Sequence, residues 1–572
     1  MKVMWKAAFA AVLLIAATSI EIGCGDTYRP VAKPVPPTTG NPAGNETEAM
    51  LSCCLNPISI NAVSATPSSV LTDIDVSGDT NSGDKVLGNI VGNGKTPVGA
   101  AQNPMAFDGT RTSIFAADTA SDSVTQSLLN ISSGGFSAST NTIALPAGSH
   151  PIAMSFQYYG PTYTQDYVVN SGTNTAACPG TGSIGVIAQN VGVLKNTICV
   201  GPSPVAVWIF RDLSKVFVLD GNGTVDVVSA SKYKVTNSFA VGKNPIKMAQ
   251  SADGNYIYVL NSGDGTISII DAVAEQVLTP VTVPKTLNNP LVDIAQDPNF
   301  TDTSANTQYN HIWTLQADGT VSVFDNSSPG TLAFVTSVPT ITGAQLTAGV
   351  YPTNIALLRD GTMAYVGLGN SDQMVALSTV NSGLPTASAT TSITVGVHRS
   401  ASLQPYVISY TDPANPTKTI TETFAMSETT TPTVNYVAVS RQGSGSTGDS
   451  ADLAKAYAIT TTSTTYTYFN TNGTTLDPTT IIMGTDINLH LYNWTLPSWC
   501  SQAAGSNVVS CPNLYSGTAV VAGASNGTTP VNTFITTIPA PAQVTYCNPA
   551  TTLPDAAMAC PLMTPTVLLG RS

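Results

Sequence analysis

Apolar residues in this chain fall in short runs set apart by Gly, Pro, Asn and Asp, and the most regular grouping recurs. In its clearest copy Val241-Gly242-Lys243-Asn244-Pro245 leads into Ile246 to Ser251, and Ala252-Asp253-Gly254 then turns into Tyr256 to Asn261. Gly265-Thr266 opens a last run to Asp271. Upstream, Val200-Gly201-Pro202-Ser203-Pro204 leads to Phe217-Val218-Leu219-Asp220 and to Gly223-Thr224-Val225-Asp226-Val227-Val228, so Pro204 and Pro245 stand 41 residues apart. The alternation around Ile246 and Met248, the Asp-Gly turn signals and the β-branched and aromatic runs predict four short strands per unit. A period of this length marks a propeller blade or a solenoid turn. A lone four-stranded unit would leave both of its faces wet, whereas units packed face to face around an axis bury them.

Looser copies extend the pattern. Val91 and Pro97 lead to Phe115-Ala116-Ala117-Asp118, and Gly148-Ser149-His150-Pro151 leads to Tyr167-Val168-Val169-Asn170. Asn289-Pro290 leads to Trp313 and to the segment 319–325, and Gly349-Val350-Tyr351-Pro352 leads to Tyr365-Val366 and Met374 to Leu377. Val395-Gly396-Val397-His398 opens a degenerate seventh unit, with Arg399 where the others carry Pro. The prediction is an all-β, seven-bladed β-propeller over 66–475, followed by a cysteine-containing C-terminal extension over 476–572. Leu71 to Asp75 reads as a final blade strand without companions, so it is expected to close the ring by pairing into the last blade, built from about 397–460.

These residues resemble the YVTN family of bacterial β-propellers, through Tyr167 to Asn170, Tyr258 to Asn261 and the Gly-Thr-Val-Ser-Val-Phe-Asp run at 319–325. The resemblance is tight over 200–271 and looser over about 90–400. It implies a seven-bladed surface or periplasmic propeller, and it transfers no catalytic residue because the motif is structural.

Composition sharpens the picture. Charged residues make up only 10% of the 572-residue chain, so Ser, Thr, Asn and Gly must supply its polarity. A formal net charge of -13 offers no basic footprint for phosphates, which excludes nucleic acid as a partner. Residues 1–23 have the form of a signal peptide: Lys2 and Lys6 precede the apolar run Ala7 to Ala17, which is too short to cross a bilayer. Glu21-Ile22-Gly23-Cys24 resembles a lipobox, with Glu21 departing from the usual aliphatic residue, and makes Cys24 the expected lipid attachment site. Gly25 after it implies delivery to the outer membrane under the lipoprotein sorting rule. The Pro-rich 24–65 stretch is expected as a tether, with lipid the only membrane contact.

Eight cysteines remain once Cys24 is assigned to lipid, an even number that suits disulfides in an oxidising compartment. Near-neighbour pairing gives Cys178 with Cys199, Cys500 with Cys511, and Cys547 with Cys560, while Cys53 and Cys54 bridge each other or the tail. Cys-x-x-Cys is absent, so no metal site is expected, and nothing calls for a cofactor. His150 and His398 hold corresponding positions before two units, and with Arg399 they are the first place to seek a ligand at one end of the ring. His311 and the carboxylates Asp253, Asp264 and Asp271 read as strand-edge and turn residues. No Gly-x-Ser-x-Gly elbow, P-loop, His-Glu-x-x-His or Cys-x-x-Cys-His motif is expected to supply a catalytic centre. The favoured expectation is a monomeric, non-catalytic binding or scaffolding propeller holding a protein or glycan partner on one face. The alternative is a lactonase-type hydrolase with His and Arg at the channel mouth.

Overall fold

The computed structural model describes residues 48–55, 69–75, 85–91, 105–107 and most of 113–395, then the strands between 399 and 470 and the segments 501–502, 508–523, 531–539 and 567–571. These residues form an all-β fold, consistent with a β-propeller, in which eight antiparallel sheets have four or more strands. The second to eighth sheets follow one another along the chain. In the fourth, for example, Pro204–Ile209, Lys215–Asp220, Thr224–Ser229 and Lys234–Ala240 pair in simple order.

Both faces of each middle sheet are buried by its neighbours. Val216 and Val218 of the fourth sheet pack on Tyr167, Val169 and Val186 of the third, while Phe217 and Leu219 pack on Ile257, Val259 and Ile270 of the fifth. Strand alternation sends successive side chains to opposite neighbours, which is why these strands are apolar at nearly every position.

The repeat acquires a physical meaning here. The second strands of the second to sixth sheets carry a buried aromatic, Phe115, Tyr167, Phe217, Tyr258 or Trp313, and three residues later a buried polar residue, Asp118, Asn170, Asp220, Asn261 or Gln316. The aromatic fills the seam between sheets, and the polar residue ties down the next turn. Asn261 Nδ2 donates to Thr266 Oγ1 at 3.0 Å and Ser268 Oγ at 2.9 Å, and Asp220 accepts the Ser203 and Asn222 amides at 3.0 and 3.1 Å. The repeated Val-Gly follows from the same residues: a Cβ on Gly201 would lie 1.9 Å from Asp220 Oδ2, and one on Gly242 2.5 Å from the Asn261 amide. Only glycine lets the loop pass over the polar side chain.

Two expectations need correction. Among the described residues there is one four-stranded sheet more than the seven units read from the sequence, and it draws on segments far apart in the chain: Glu48–Leu55, Ser69–Asp75 and Lys85–Val91 pair in sequence, and Val567–Arg571 joins beside Glu48–Leu55. The segment Leu71 to Asp75 therefore pairs with its own neighbours, not with strands from 397–460, because companions that sequence patterning did not reveal flank it on both sides. One companion, Glu48–Leu55, lies inside the expected tether.

The eighth sheet takes up much of the expected C-terminal extension. Lys455–Asn470 pairs with Val508–Ala522, which pairs in turn with Phe534–Pro539. Its principal strand, Asn415–Val439, has 25 residues, against 5 to 7 in the first strands of the third to seventh sheets. The first sheet touches both the second and the eighth. Val567–Arg571 lies against Met105–Phe107 and Asn415–Val439, and Lys85–Val91 lies against Gly135–Ala144 and Phe534–Pro539.

Candidate functional site

His150 sits in the loop before the third sheet with φ +48°, the left-handed region, as does Asn244 (φ +46°) before the fifth. Asp122 clamps that loop, its two carboxylate oxygens accepting the amides of Gly148 and His150 at 2.7 Å each. The imidazole stays exposed, with Nδ1 3.3 Å from the Thr119 carbonyl and 3.7 Å from Asp122 Oδ1. Arg399 opens the eighth sheet with its backbone opposite Thr430, and His398 lies outside the described residues. Cys178 and Cys199 form the expected disulfide, tying the loop after Asn170 to the last strand of its sheet. Cys511 lies on the strand Val508–Ala522, while Cys24, Cys500, Cys547 and Cys560 fall outside the described residues. Asp264 and Asp271 spend their oxygens on turn donors, Lys243 N and Thr266 Oγ1 for the former, Val273 N and Ala274 N for the latter.

His311 proves to be part of a buried cluster. Asp297 Oδ2 meets His311 Nδ1 at 2.7 Å, and its Oδ1 accepts from Trp313 Nε1 at 3.2 Å. Burial pushes the Asp297 carboxyl above its ordinary range, although the His311 and Trp313 hydrogen bonds pull the other way. The folded protein thus holds that proton more tightly than the unfolded chain does, so this group's contribution is full below the unfolded pKa and is lost as pH rises through the folded one. Asp297→Asn keeps an acceptor for Trp313 and is never ionised. Its melting temperature minus that of the wild type should therefore grow as pH is raised from about 4 to about 7. Scanning fluorimetry across that range is the measurement, and a difference that shrinks would refute the assignment.

A second cluster runs along the first strands of successive sheets. In the third to sixth sheets the first strand carries a bulge just after the residue opposite the end of the second strand, followed by Ala153, Ala206, Lys247 and Asp293, and in the eighth a bulge within Asn415–Val439 is followed by Tyr436. The two alanines are buried and small; the others connect sheets. Lys247 Nζ donates to Asp293 Oδ1, and Asp293 Oδ2 accepts the Ile355 amide of the seventh sheet at 3.0 Å. Asn354 continues the row, exchanging hydrogen bonds with the Val437 backbone of the eighth at 2.7 and 2.8 Å.

Tyr436 is close enough to feel the charges of both Lys247 and Asp293, although the fifth and eighth sheets are not neighbours in sequence order. Burial raises the Tyr436 phenol pKa. Burial works to lower that of Lys247, but the Asp293 carboxylate and Tyr436 outweigh it and the net shift is upward. A nucleophilic or basic lysine needs the opposite shift, so this ammonium is held as a charge, not offered as a base.

Sequence reasoning missed this row, because a lone Lys, Asp or Asn reads as solvated surface. Aligning the units at their first strands, where Ala gives way to Lys and Asp, carries the available signal. One serine with nucleophile-elbow spacing was also passed over, in Gly523-Ala524-Ser525-Asn526-Gly527. Residues 524–527 lie outside the described residues; the strands on either side, Val508–Ala522 and Phe534–Pro539, pair antiparallel, whereas an elbow joins a strand to a helix.

No protein-family model and no curated protein matches this chain. Among solved structures it is similar to a candidate 6-phosphogluconolactonase from Bacteroides fragilis, at 14% identity and TM-score 0.41 over 59% of this chain and 93% of the other. It is also similar to a protein of unknown function from Desulfotomaculum acetoxidans, at 13% and 0.39 over 58% and 92%, and to the Dos1 propeller, at 13% and 0.39 over 52% and 71%. At these values the likenesses carry no argument about activity.

Proposed function

We infer that this chain is a non-catalytic binding or scaffolding propeller of the YVTN type, exported, held to the outer membrane through lipid on Cys24, and presenting one face of a monomeric ring to a protein or glycan. The observation that carries the reading is how the buried polar groups are used. Lys247, Asp293 and Asn354 link one sheet to the next, and Asp297 engages His311 and Trp313 within one sheet. The ring in this reading has eight blades, the first assembled from segments far apart in the chain. That departs from the seven of the family pattern and replaces closure by the N-terminal strand alone.

Two measurements test it. Cys24→Ser should move the protein from the membrane fraction to the soluble fraction with an unchanged melting temperature, and a variant that stays membrane-bound refutes the anchor. Purified protein should cosediment saturably with isolated peptidoglycan or crosslink to an envelope protein, and should leave a δ-lactone probe hydrolysing at the buffer rate. Lactone turnover that disappears in His150→Ala would establish the hydrolase instead.

A further inference from the structure

The turn between the third and fourth strands places a left-handed residue directly before the fourth strand in three successive sheets, Gly192, Tyr233 and Glu275, with φ of +59°, +49° and +55°, and the next sheet has Gly330 at +89° in the same turn, two residues earlier. Each faces the preceding sheet. A Cβ on Gly192 would meet Gln126 at 2.1 Å, one on Gly330 would meet the Tyr256 ring at 2.7 Å, and Glu275 reaches back to Lys215 at 2.7 Å. Glycine is the economical residue for this conformation and a bulky ring is an unusual one, so Tyr233 is held in place at a backbone cost.

The surroundings of the Tyr233 oxygen are equally specific. Gln165 Nε2, on the second strand of the third sheet, donates to Oη at 2.8 Å. Lys195, on the last strand of that sheet, holds its Nζ 5.4 Å from the ring centroid, with its charge beside the phenol. Lys232 and Lys234 flank Tyr233 in its own turn. The ring's apolar part packs beside the core shared by the third and fourth sheets, and the side chain keeps partial exposure. Other tyrosines differ: Tyr258 and Tyr365 are fully buried, and each donates its phenolic proton to an asparagine, Asn326 and Asn532.

We propose that Tyr233 is a modification site, a phenol oriented by Gln165 and Lys195 to take a tetrahedral electrophile of the sulfonyl class at its oxygen. A phenol is a weak nucleophile while it keeps its proton, and a donor on the oxygen with an ammonium beside the ring favours the phenolate. Lys195 first, and then the Gln165 hydrogen bond, lower its pKa from the ordinary value against the opposing effect of partial burial. With a sulfonyl fluoride, Oη attacks sulfur and the O–S bond forms. The S–F bond breaks, fluoride departs with its electron pair, and the phenolic proton passes to solvent. The Lys195 ammonium faces the negative charge that develops on the sulfonyl oxygens.

The test treats the folded full-length chain with phenylmethanesulfonyl fluoride near neutral pH and maps adducts by peptide mass spectrometry. Tyr233 should be labelled on the order of tenfold faster than Tyr351, which at 49% exposure is the accessible comparison. Lys195→Met should slow labelling of Tyr233 by a similar factor, and Lys195→Arg should restore most of the rate. Equal labelling of Tyr351, an adduct on Lys195 itself, or no response to Lys195→Met overturns the proposal. An ultraviolet difference titration of wild type against Tyr233→Phe reads the phenol without disturbing Lys195, and ionisation at or above the ordinary tyrosine value of about 10 would also overturn it.

Discussion

Removing residues 567–572 will destabilise the protein far more than removing a longer stretch from the other end of the chain, such as 25–47. Val567–Arg571 makes five register pairs with Glu48–Leu55, and among the described residues no other strand borders that side of the first sheet. Each backbone hydrogen bond lost costs roughly 0.5 to 1.5 kcal/mol net, so the direct loss is a few kcal/mol. The truncation also bares an edge that invites pairing with another chain, which converts lost stability into aggregation. The strand lies against both the second and the eighth sheets, so its loss also separates the ends of the array. Deleting 25–65 should be nearly as severe, because Glu48–Leu55 leaves with it. Thermal unfolding with light scattering distinguishes these variants, and a 567–572 truncation that melts with the wild type would refute closure through the C-terminal strand.

Lys247→Met should cost about 2 to 4 kcal/mol, read as a lower denaturant midpoint. Asp293 is nearly fully buried and keeps the amides of Ile294 and Ile355, but losing the lysine leaves its charge without a counterion. The estimate sits toward the lower end for a broken buried pair because the Lys247 side chain retains 29% exposure. Asp293→Asn in the Lys247→Met background should recover part of the loss by removing the stranded charge while keeping an acceptor for Ile355. A double variant weaker than Lys247→Met would show that the pair is not the source. The pH dependence has a definite sign: the raised lysine pKa gives a contribution that is complete below the unfolded value of about 10.4 and is lost as pH rises through the folded one. Lys247→Met should therefore flatten alkaline unfolding.

Much of the fold was legible in the sequence because the blade is a local object. The aromatic and the polar residue three positions later, as in Tyr258 and Asn261, lie on one strand. The Gly that accommodates the polar side chain lies only 19 residues upstream in the Gly242–Asn261 pair, so each unit carries its own instructions. The pairing of Cys178 with Cys199 was legible for the same reason, at a separation of 21 residues. His150 was visible as a loop residue, but its clamp by Asp122 was not, since that contact crosses from the second sheet to the third.

Contacts between units were decided by tertiary structure alone. Lys247, Asp293, Asn354 and Tyr436 acquire their roles only when strands of separate sheets are brought together, and nothing local marks one as the partner of another. Glu48–Leu55 and Val567–Arg571 are the extreme case. They pair across nearly the whole chain, in segments whose Cys, Pro and Thr surroundings resemble linker, and strand patterning is blind to the identity of a distant partner. The sequence by itself determined the four-stranded unit and its seams, because those depend on alternation and turn chemistry within a few dozen residues. How many sheets assemble, and which strand completes the first, was decided by edge satisfaction, since an unpaired backbone edge takes whichever strand the folded chain delivers to it.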